Sequence, residues 1–127
     1  MSNLIILLSG LIVGTIIFHS AIVAPTVFRT LGESDASVFL RTIFPKFFLF
    51  LTLISVVNFL LALIDGQSGI MVISAVSAVL MGIAYGLIPI TNRSRDEGLK
   101  QRFSQLHRVS VLLTVGVLSI NVVAIFL

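Results

Sequence analysis

The sequence has no cysteine and few charged residues, and both facts narrow the class of protein to which it can belong. Without cysteine there is no disulfide, no thiolate metal site and no cysteine nucleophile. Charged residues make up 10% and apolar residues 57% of the 127 residues. Soluble domains carry roughly 25% charged residues, so this composition, with a mean hydropathy of +1.19, excludes a soluble enzyme and a nucleic-acid-binding domain. It indicates one small membrane domain.

Long hydrophobic runs dominate what is present. Four segments are close to the ~20 residues that cross a bilayer, namely residues 4–28, 47–64, 70–90 and 107–127. They predict an all-α fold, an integral membrane four-helix bundle that forms a single domain over residues 1–127. The first segment is expected to stay in the mature protein, because no Lys or Arg precedes it and it is longer than a typical signal-peptide core.

Two connections are predicted to contain structure of their own. Residues 34–44 carry apolar side chains after a capping Ser or Asp and predict an interfacial helix, which Pro45 separates from the second span. Ser94 and Glu97 have the spacing of a capping box. They predict that the fourth helix begins near Arg95 and runs into the bilayer without a break.

Basic residues are distributed very unevenly. All eight Lys and Arg residues flank or lie within the first and third connections, and none lies in the second, at residues 65–69. The positive-inside rule therefore predicts that both basic connections are cytoplasmic and that both termini are non-cytoplasmic. We expect a protein of a bacterial cytoplasmic (inner) membrane whose basic residues contact anionic lipid headgroups and no nucleic acid.

Small residues recur at helical spacing on two of the predicted helices. They are Gly10 and Gly14 on the first, and Ser74, Ala78, Gly82 and Gly86 on the third. Small residues let helix backbones approach closely in a bilayer. The third-helix stripe predicts packing either within the bundle or between copies in a homo-oligomer or larger membrane complex; the first motif is weaker, since glycine is common in membrane helices.

Few polar side chains lie inside the apolar segments. Asn58 and Asn121 are at similar distances from the non-cytoplasmic ends of their helices, and a hydrogen bond between them is expected. No carboxylate lies within any of the four segments. This argues against a usual proton-coupled transporter and excludes paired-carboxylate catalysis or a carboxylate-ligated di-iron site.

The cytoplasmic end is the predicted functional face. Pro25, Pro45 and Pro89 each interrupt a helix near this level and free backbone carbonyls. The candidate ligand-binding residues close to it are His19, Arg29, Arg41, Arg93 and His107. A pocket would turn Arg29 or Arg41 inward beneath His19; the alternative is that the arginines form a solvated rim.

The two histidines also raise the possibility of haem b, with a haem- or quinone-associated membrane oxidoreductase as the activity. A helical rise of ~1.5 Å per residue separates His19 and His107 by about 10 Å in depth, which argues against a shared iron. Two ligands also fall short of a metal site. We therefore predict no cofactor, no metal and no catalytic residue, with haem as an alternative.

Several short motifs resemble a known family. They are Ala-Pro-x-x-Phe-Arg at residues 24–29, Phe-Pro-x-Phe-Phe at 44–48 and Leu-His-x-x-Ser at 106–110, with supporting similarity at 18–23, 39–43, 90–93 and 103–105. In order and spacing they resemble the small four-helix membrane family of unknown function that includes eukaryotic transmembrane protein 205. The resemblance implies a four-helix integral membrane protein without an established biochemical activity.

The leading functional hypothesis is a non-enzymatic membrane protein that binds a lipid, a hydrophobic ligand or a protein partner as an accessory or assembly component. The membrane oxidoreductase using His19 is the first alternative. An oligomeric exporter of small molecules or metal is the weaker one, because the spans lack a charged pathway.

Overall fold

The computed structural model describes residues 2–127 and is helical throughout. Its elements are α1 (Ser2–Phe18), a π-helical segment (His19–Val23), α2 (Ala24–Thr30), α3 (Glu33–Asp65), α4 (Ser68–Gly86), α5 (Ile88–Asp96) and α6 (Lys100–Ile125). They form four stretches long and apolar enough to cross a membrane, the first to fourth spans: Ser2–Thr30, Glu33–Asp65, Ser68–Asp96 and Lys100–Ile125. The prediction of an all-helical protein is confirmed, with four helices long and apolar enough to span a membrane.

The four spans form a ring. α1 packs against α3 and α6, and α4 packs against the same two helices on the other side. The Ser2 hydroxyl donates to the Asp65 carboxylate at 3.4 Å, and the Gln67 side chain donates to the Ser2 hydroxyl at 3.2 Å. A Cβ built at Gly69 would lie 3.4 Å from the Leu127 side chain. Ser2, Leu127 and the connection after α3 therefore lie at one end of the bundle, which we call the turn end. The connections at residues 31–32 and 97–99 lie at the opposite end, the basic end.

Two glycines with positive φ terminate helices and determine where the chain turns into the next helix. Gly66 (φ 71°) follows α3, and Gly98 (φ 72°) follows α5. After each glycine the next N–H reaches back to a helical carbonyl, from Gln67 to Ala62 and from Leu99 to Ser94, both at 2.9 Å. This pattern is a Schellman motif, which favours glycine because a side chain is strained at such φ values.

The Schellman motif at Gly98 corrects the predicted start of the fourth helix. Ser94 lies inside α5, where its hydroxyl donates to the Ile90 carbonyl at 2.8 Å, so it does not cap a following helix. The chain turns at residues 97–99, and α6 begins at Lys100. The prediction of a capping box and of a helix start near Arg95 is wrong, because the left-handed glycine ends α5 first.

The second span is one continuous helix of 33 residues, Glu33–Asp65, with Pro45 inside it. The segment 34–44, predicted as a separate interfacial helix, forms the first part of this helix. Proline removes one backbone hydrogen bond without forbidding helical φ, so the flanking turns can continue. At ~1.5 Å per residue the helix is about 50 Å long. Since a bilayer core is ~30 Å thick, part of this helix extends beyond it.

The first span contains a wide turn where its proline lies. Residues His19–Val23 are π-helical, and the Ala24 N–H donates to the His19 carbonyl five residues earlier. Pro25 has no N–H to donate to the preceding turn, and a π-type turn is one way in which a helix rearranges its hydrogen bonds around such a gap. His19 is buried, whereas the preceding Phe18 is exposed.

Two apolar clusters form the core, with a polar layer between them. The cluster toward the basic end comprises Ile12, Ile16, Phe47, Phe48, Leu51, Met81, Ala84 and Val117, and the cluster toward the turn end comprises Ile5, Ala62, Ile70 and Ala124. The buried positions that separate them in sequence on all four spans are Ser9, Ser55, Asn58, Ser74, Ser77 and Asn121. We call these six residues the polar layer.

The polar layer corrects the predicted pairing of the two asparagines. The Asn58 side-chain amide donates to the Ser9 hydroxyl at 3.1 Å, and the Asn121 amide donates to the Ser77 hydroxyl at 2.9 Å. α3 and α6 lie across the ring from each other, whereas Ser9 and Ser77 lie on neighbouring helices. A direct Asn58–Asn121 hydrogen bond is therefore absent from the described chain.

The predicted small-residue packing is also corrected. A Cβ added at Gly10, Gly14, Gly82 or Gly86 would lie within 4 Å of nothing in the described chain outside its own helical neighbourhood. The buried face of α4 passes through Ser74, Ser77, Met81 and Ala84. Ser74 thus belongs to the core, Ala78 is half-buried beside it, and Gly82 and Gly86 are exposed. Packing inside the bundle through these glycines is wrong; packing against a second copy stays a prediction.

Candidate functional site at the basic end

The five candidate residues do not converge on one site. Arg29, Arg93 and His107 are exposed, Arg41 is half-buried, and only His19 is buried. Arg29 does not turn inward beneath His19. The helix faces explain this result, because Arg29 lies two residues from Val27, whose side chain points into the bundle, and so falls on the opposite side.

His19 lies in an aromatic group. Its ring stacks on Phe47, with centroids 4.2 Å apart, and meets Phe44 edge-on at 5.0 Å. Its Nε2 is buried and has no hydrogen-bond partner within residues 2–127. His107 belongs to a separate group and stacks on Phe103 at 5.9 Å. The structure therefore places His19 as part of the apolar core between the first two spans.

Arg41 joins the second span to the third. Its guanidinium donates twice to the Asp96 carboxylate, from Nη1 at 3.2 Å and from Nη2 at 2.5 Å. This is the one ion pair within residues 2–127. The third nitrogen of the guanidinium, Nε, is buried without a partner in the same part of the chain. The two-pronged pairing fixes the plane of the guanidinium and directs the Nε–H away from Asp96.

Beside this ion pair lies a recess with an open polar part and a narrower apolar part. The open groove, of about 560 Å³, is lined by Glu33, Ser34, Ser37, Val38, Arg41, Arg95 and Asp96. The adjoining cavity, of about 200 Å³, is lined by Phe28, Leu31, Glu33, Ala36, Ser37, Leu40 and Arg95. Glu33, Ser37 and Arg95 line both. We call the two together the basic-end recess.

Arg95 is the cation that the recess presents. It lies in the last turn of α5, and its guanidinium carbon is 5.5 Å from the centre of the Phe103 ring in α6. The face of an aromatic ring attracts the positive charge of a guanidinium, so the Phe103 ring restricts the position of the Arg95 side chain. Arg95 is not paired with a carboxylate within residues 2–127.

Sequence reasoning missed both Arg95 and Glu33 as site residues. Arg95 was one of several basic residues in its connection, and Glu33 one of two acids near the start of α3. The available signal was Gly98, a typical helix-ending residue, which turns α6 back so that Phe103 meets Arg95. The recess itself arises from packing α2, α3 and α5 at one level, which no local pattern specifies.

The side chains that line the recess are chemically mixed. It combines apolar walls, hydroxyls, two cations and two carboxylates, and it contains no histidine. Across residues 2–127 no three His, Asp or Glu side chains come together in a way that could hold a metal ion. The recess therefore offers polar and charged groups in its open part and more apolar groups in its narrower part.

Comparison with known proteins gives one match. A family model described as a domain of unknown function, DUF4149, matches residues 7–127. The chain belongs to the DUF4149 family. No curated protein and no solved structure matches it. For this DUF4149 protein, the four apolar helices and the family together indicate an integral membrane protein.

Proposed function

We propose that this DUF4149 protein binds a phospholipid whose headgroup carries both a phosphate and an amine, and that it acts as a non-enzymatic accessory component of the cytoplasmic membrane. The observation that carries the proposal is the basic-end recess, in which Arg95 and Glu33 line both the polar groove and the apolar cavity. A phospholipid is the ligand class that combines these two chemistries next to a membrane-spanning bundle.

The charges of the recess favour a zwitterionic headgroup over an anionic one. Arg41 and Asp96 neutralise each other in their ion pair. This leaves Arg95 to bind a phosphate and Glu33 to bind an ammonium group. A headgroup with only negative charge would face the Glu33 carboxylate without compensation. Phosphatidylethanolamine is the common phospholipid with the required pair of charges.

Further contacts support the same ligand. Phe28 and Leu31 are exposed apolar side chains at the inner part of the recess, where an acyl chain would lie. We also propose that the protein is related to eukaryotic transmembrane protein 205, because the motifs at residues 24–29, 44–48 and 106–110 resemble that family.

The proposal requires the basic end to face the cytoplasm, as the positive-inside rule predicts. A reporter that is active only in the cytoplasm, fused after Leu127, is expected to be silent, because Leu127 lies at the turn end. The same reporter inserted after Gly98 is the control and is expected to be active. Activity after Leu127 with silence after Gly98 would reverse the orientation.

Lipid retention tests the site. We expect Arg95→Ala to weaken binding of phosphatidylethanolamine about tenfold, since a hydrogen bond to a charged group contributes ~1.5–3 kcal/mol. Lys100→Ala removes an equal charge at the start of α6. Lys100 lines neither part of the recess, so this variant is the control. It is expected to change binding less than twofold. Native mass spectrometry of the detergent-released protein, titrated with the lipid, measures both.

Two results would contradict the proposal. Equal loss in Arg95→Ala and Lys100→Ala would show that binding depends on overall charge and not on the recess. Tighter binding of phosphatidylglycerol than of phosphatidylethanolamine, unchanged in Glu33→Gln, would show that Glu33 does not select the amine.

A further inference from the structure

The polar layer holds more hydrogen-bonding capacity than its own residues satisfy. Each of its six side chains is at most 1% exposed, and the six lie on all four spans between the two apolar clusters. Three of its polar atoms have no partner within residues 2–127: Oδ1 of Asn58, Oδ1 of Asn121 and Oγ of Ser74. Unpaired polar groups are costly in a bilayer interior, where bulk water cannot reach them.

The three residues with unpartnered atoms lie within about one helical turn of each other in depth. Asn58 precedes Asp65, the end of α3, by seven residues, and Ser74 follows Ser68, the start of α4, by six. With ~1.5 Å of rise per residue, the two residues differ by only about 1.5 Å in depth. Asn121 is held close to this level by its hydrogen bond to Ser77, less than one turn below Ser74 on the same face.

The hydrogen bonds already made leave these atoms free for a common partner. The side-chain N–H groups of Asn58 and Asn121 donate to serine hydroxyls on neighbouring helices. These bonds join α1 to α3 and α4 to α6, one on each side of the ring. Both carboxamide oxygens are left as acceptors, and Ser74 lies on α4, which packs against both α3 and α6.

We propose that the polar layer is a binding site for a single internal water molecule. The water donates one hydrogen to Oδ1 of Asn58 and the other to Oδ1 of Asn121, and it accepts a hydrogen bond from the Ser74 hydroxyl. Three hydrogen bonds is the usual number for a buried water, and the donors and acceptors match in type. The site would link all four spans at the boundary between the two apolar clusters.

The composition of the layer favours water over a metal cation. A monovalent cation would also accept carboxamide and hydroxyl oxygens as ligands. However, the layer has no carboxylate, and a buried charge without a counter-charge is strongly disfavoured. A neutral ligand that donates two hydrogen bonds avoids this cost.

Magnetisation transfer from water to the side-chain amides tests the proposal in the intact protein in lipid nanodiscs. We expect direct water contacts at the amide protons of both Asn58 and Asn121. Asn121→Leu removes one acceptor and fills the layer, so the Asn58 contact is expected to disappear. Ser74→Val, which replaces the hydroxyl by methyl groups, is the second variant and is expected to have the same effect. Ser119→Val, at an exposed serine of α6, is the control and should leave both contacts unchanged.

Three different results would contradict the proposed water site. Absence of a water contact at both amides in the unmodified protein would overturn the proposal. So would a contact at Asn58 that persists in folded Asn121→Leu or Ser74→Val, because exchange through the Ser9 hydroxyl would then explain it. A melting temperature that rises in sodium or potassium chloride but not in choline chloride would identify a cation as the occupant instead of water.

Discussion

Replacing Phe47 by alanine is expected to destabilise the protein by about 2–3 kcal/mol. Phe47 is 7% exposed and packs at once against His19, Phe44 and Phe48, so its removal leaves a cavity between the first two spans. Phenylalanine-to-alanine changes in soluble cores cost ~3–5 kcal/mol. The expected loss is smaller here, because unfolded helices stay in lipid and only the packing part of the cost applies.

Phe50→Ala is the matched control for this change. Phe50 lies three residues away on the same helix and is 43% exposed, on the face turned to lipid. We expect its replacement to change the free energy of unfolding by less than about 0.5 kcal/mol. Unfolding by sodium dodecyl sulfate titration in mixed micelles measures both. Equal losses for Phe47→Ala and Phe50→Ala would mean that the helix faces are assigned wrongly.

Ala84→Leu is expected to have the second large effect, a loss of about 1–3 kcal/mol. Ala84 is fully buried and belongs to the apolar cluster toward the basic end. A leucine there must displace neighbouring side chains or separate the helices. The melting temperature in detergent measures the change.

Gly82→Leu separates this account from one in which the glycine stripe holds the bundle together. Gly82 is two residues from Ala84, but a side chain there meets nothing in the described chain within 4 Å outside its helical neighbourhood. We expect no loss of melting temperature. A loss as large as that of Ala84→Leu would contradict the assignment of buried faces. A lower oligomeric mass with an unchanged melting temperature would place Gly82 in a contact with a second copy.

The fold class could be predicted from the sequence because membrane-spanning helices have a length and hydropathy that no other element shares. The sequence could not predict which residue of a helix faces which neighbouring helix. On α4 almost every residue is small or apolar, so the sequence offers several four-residue stripes. The stripe that is buried passes through Ser74, Met81 and Ala84, and the positions of the other helices determine this. The two asparagines were likewise predicted to bond to each other, whereas each bonds to a serine on a neighbouring helix, since ring order is not encoded locally.

At the basic end, one of the predicted candidate residues lines the recess, but the arrangement around it could not be predicted. Arg41 was expected near the helix breaks and does line the recess, where it pairs with Asp96. Arg29 and Arg93 are exposed. Arg95 and Glu33 become neighbours only because α2 ends at Thr30 and α5 ends at Asp96, so that three elements meet. The recess depends on where helices end, and helix ends are the part of a fold that hydropathy specifies least.

The distance between a lipid phosphorus and the Arg95 guanidinium tests the central claim most directly. The protein, labelled with ¹⁵N at arginine, is placed in phosphatidylethanolamine bilayers, and phosphorus–nitrogen dipolar dephasing is recorded by solid-state NMR. The proposed site predicts a guanidinium signal dephased by direct phosphate contact that disappears in Arg95→Ala and persists in Arg102→Ala. Dephasing that is unchanged in Arg95→Ala, or lost equally in both variants, would contradict a lipid site at the basic end.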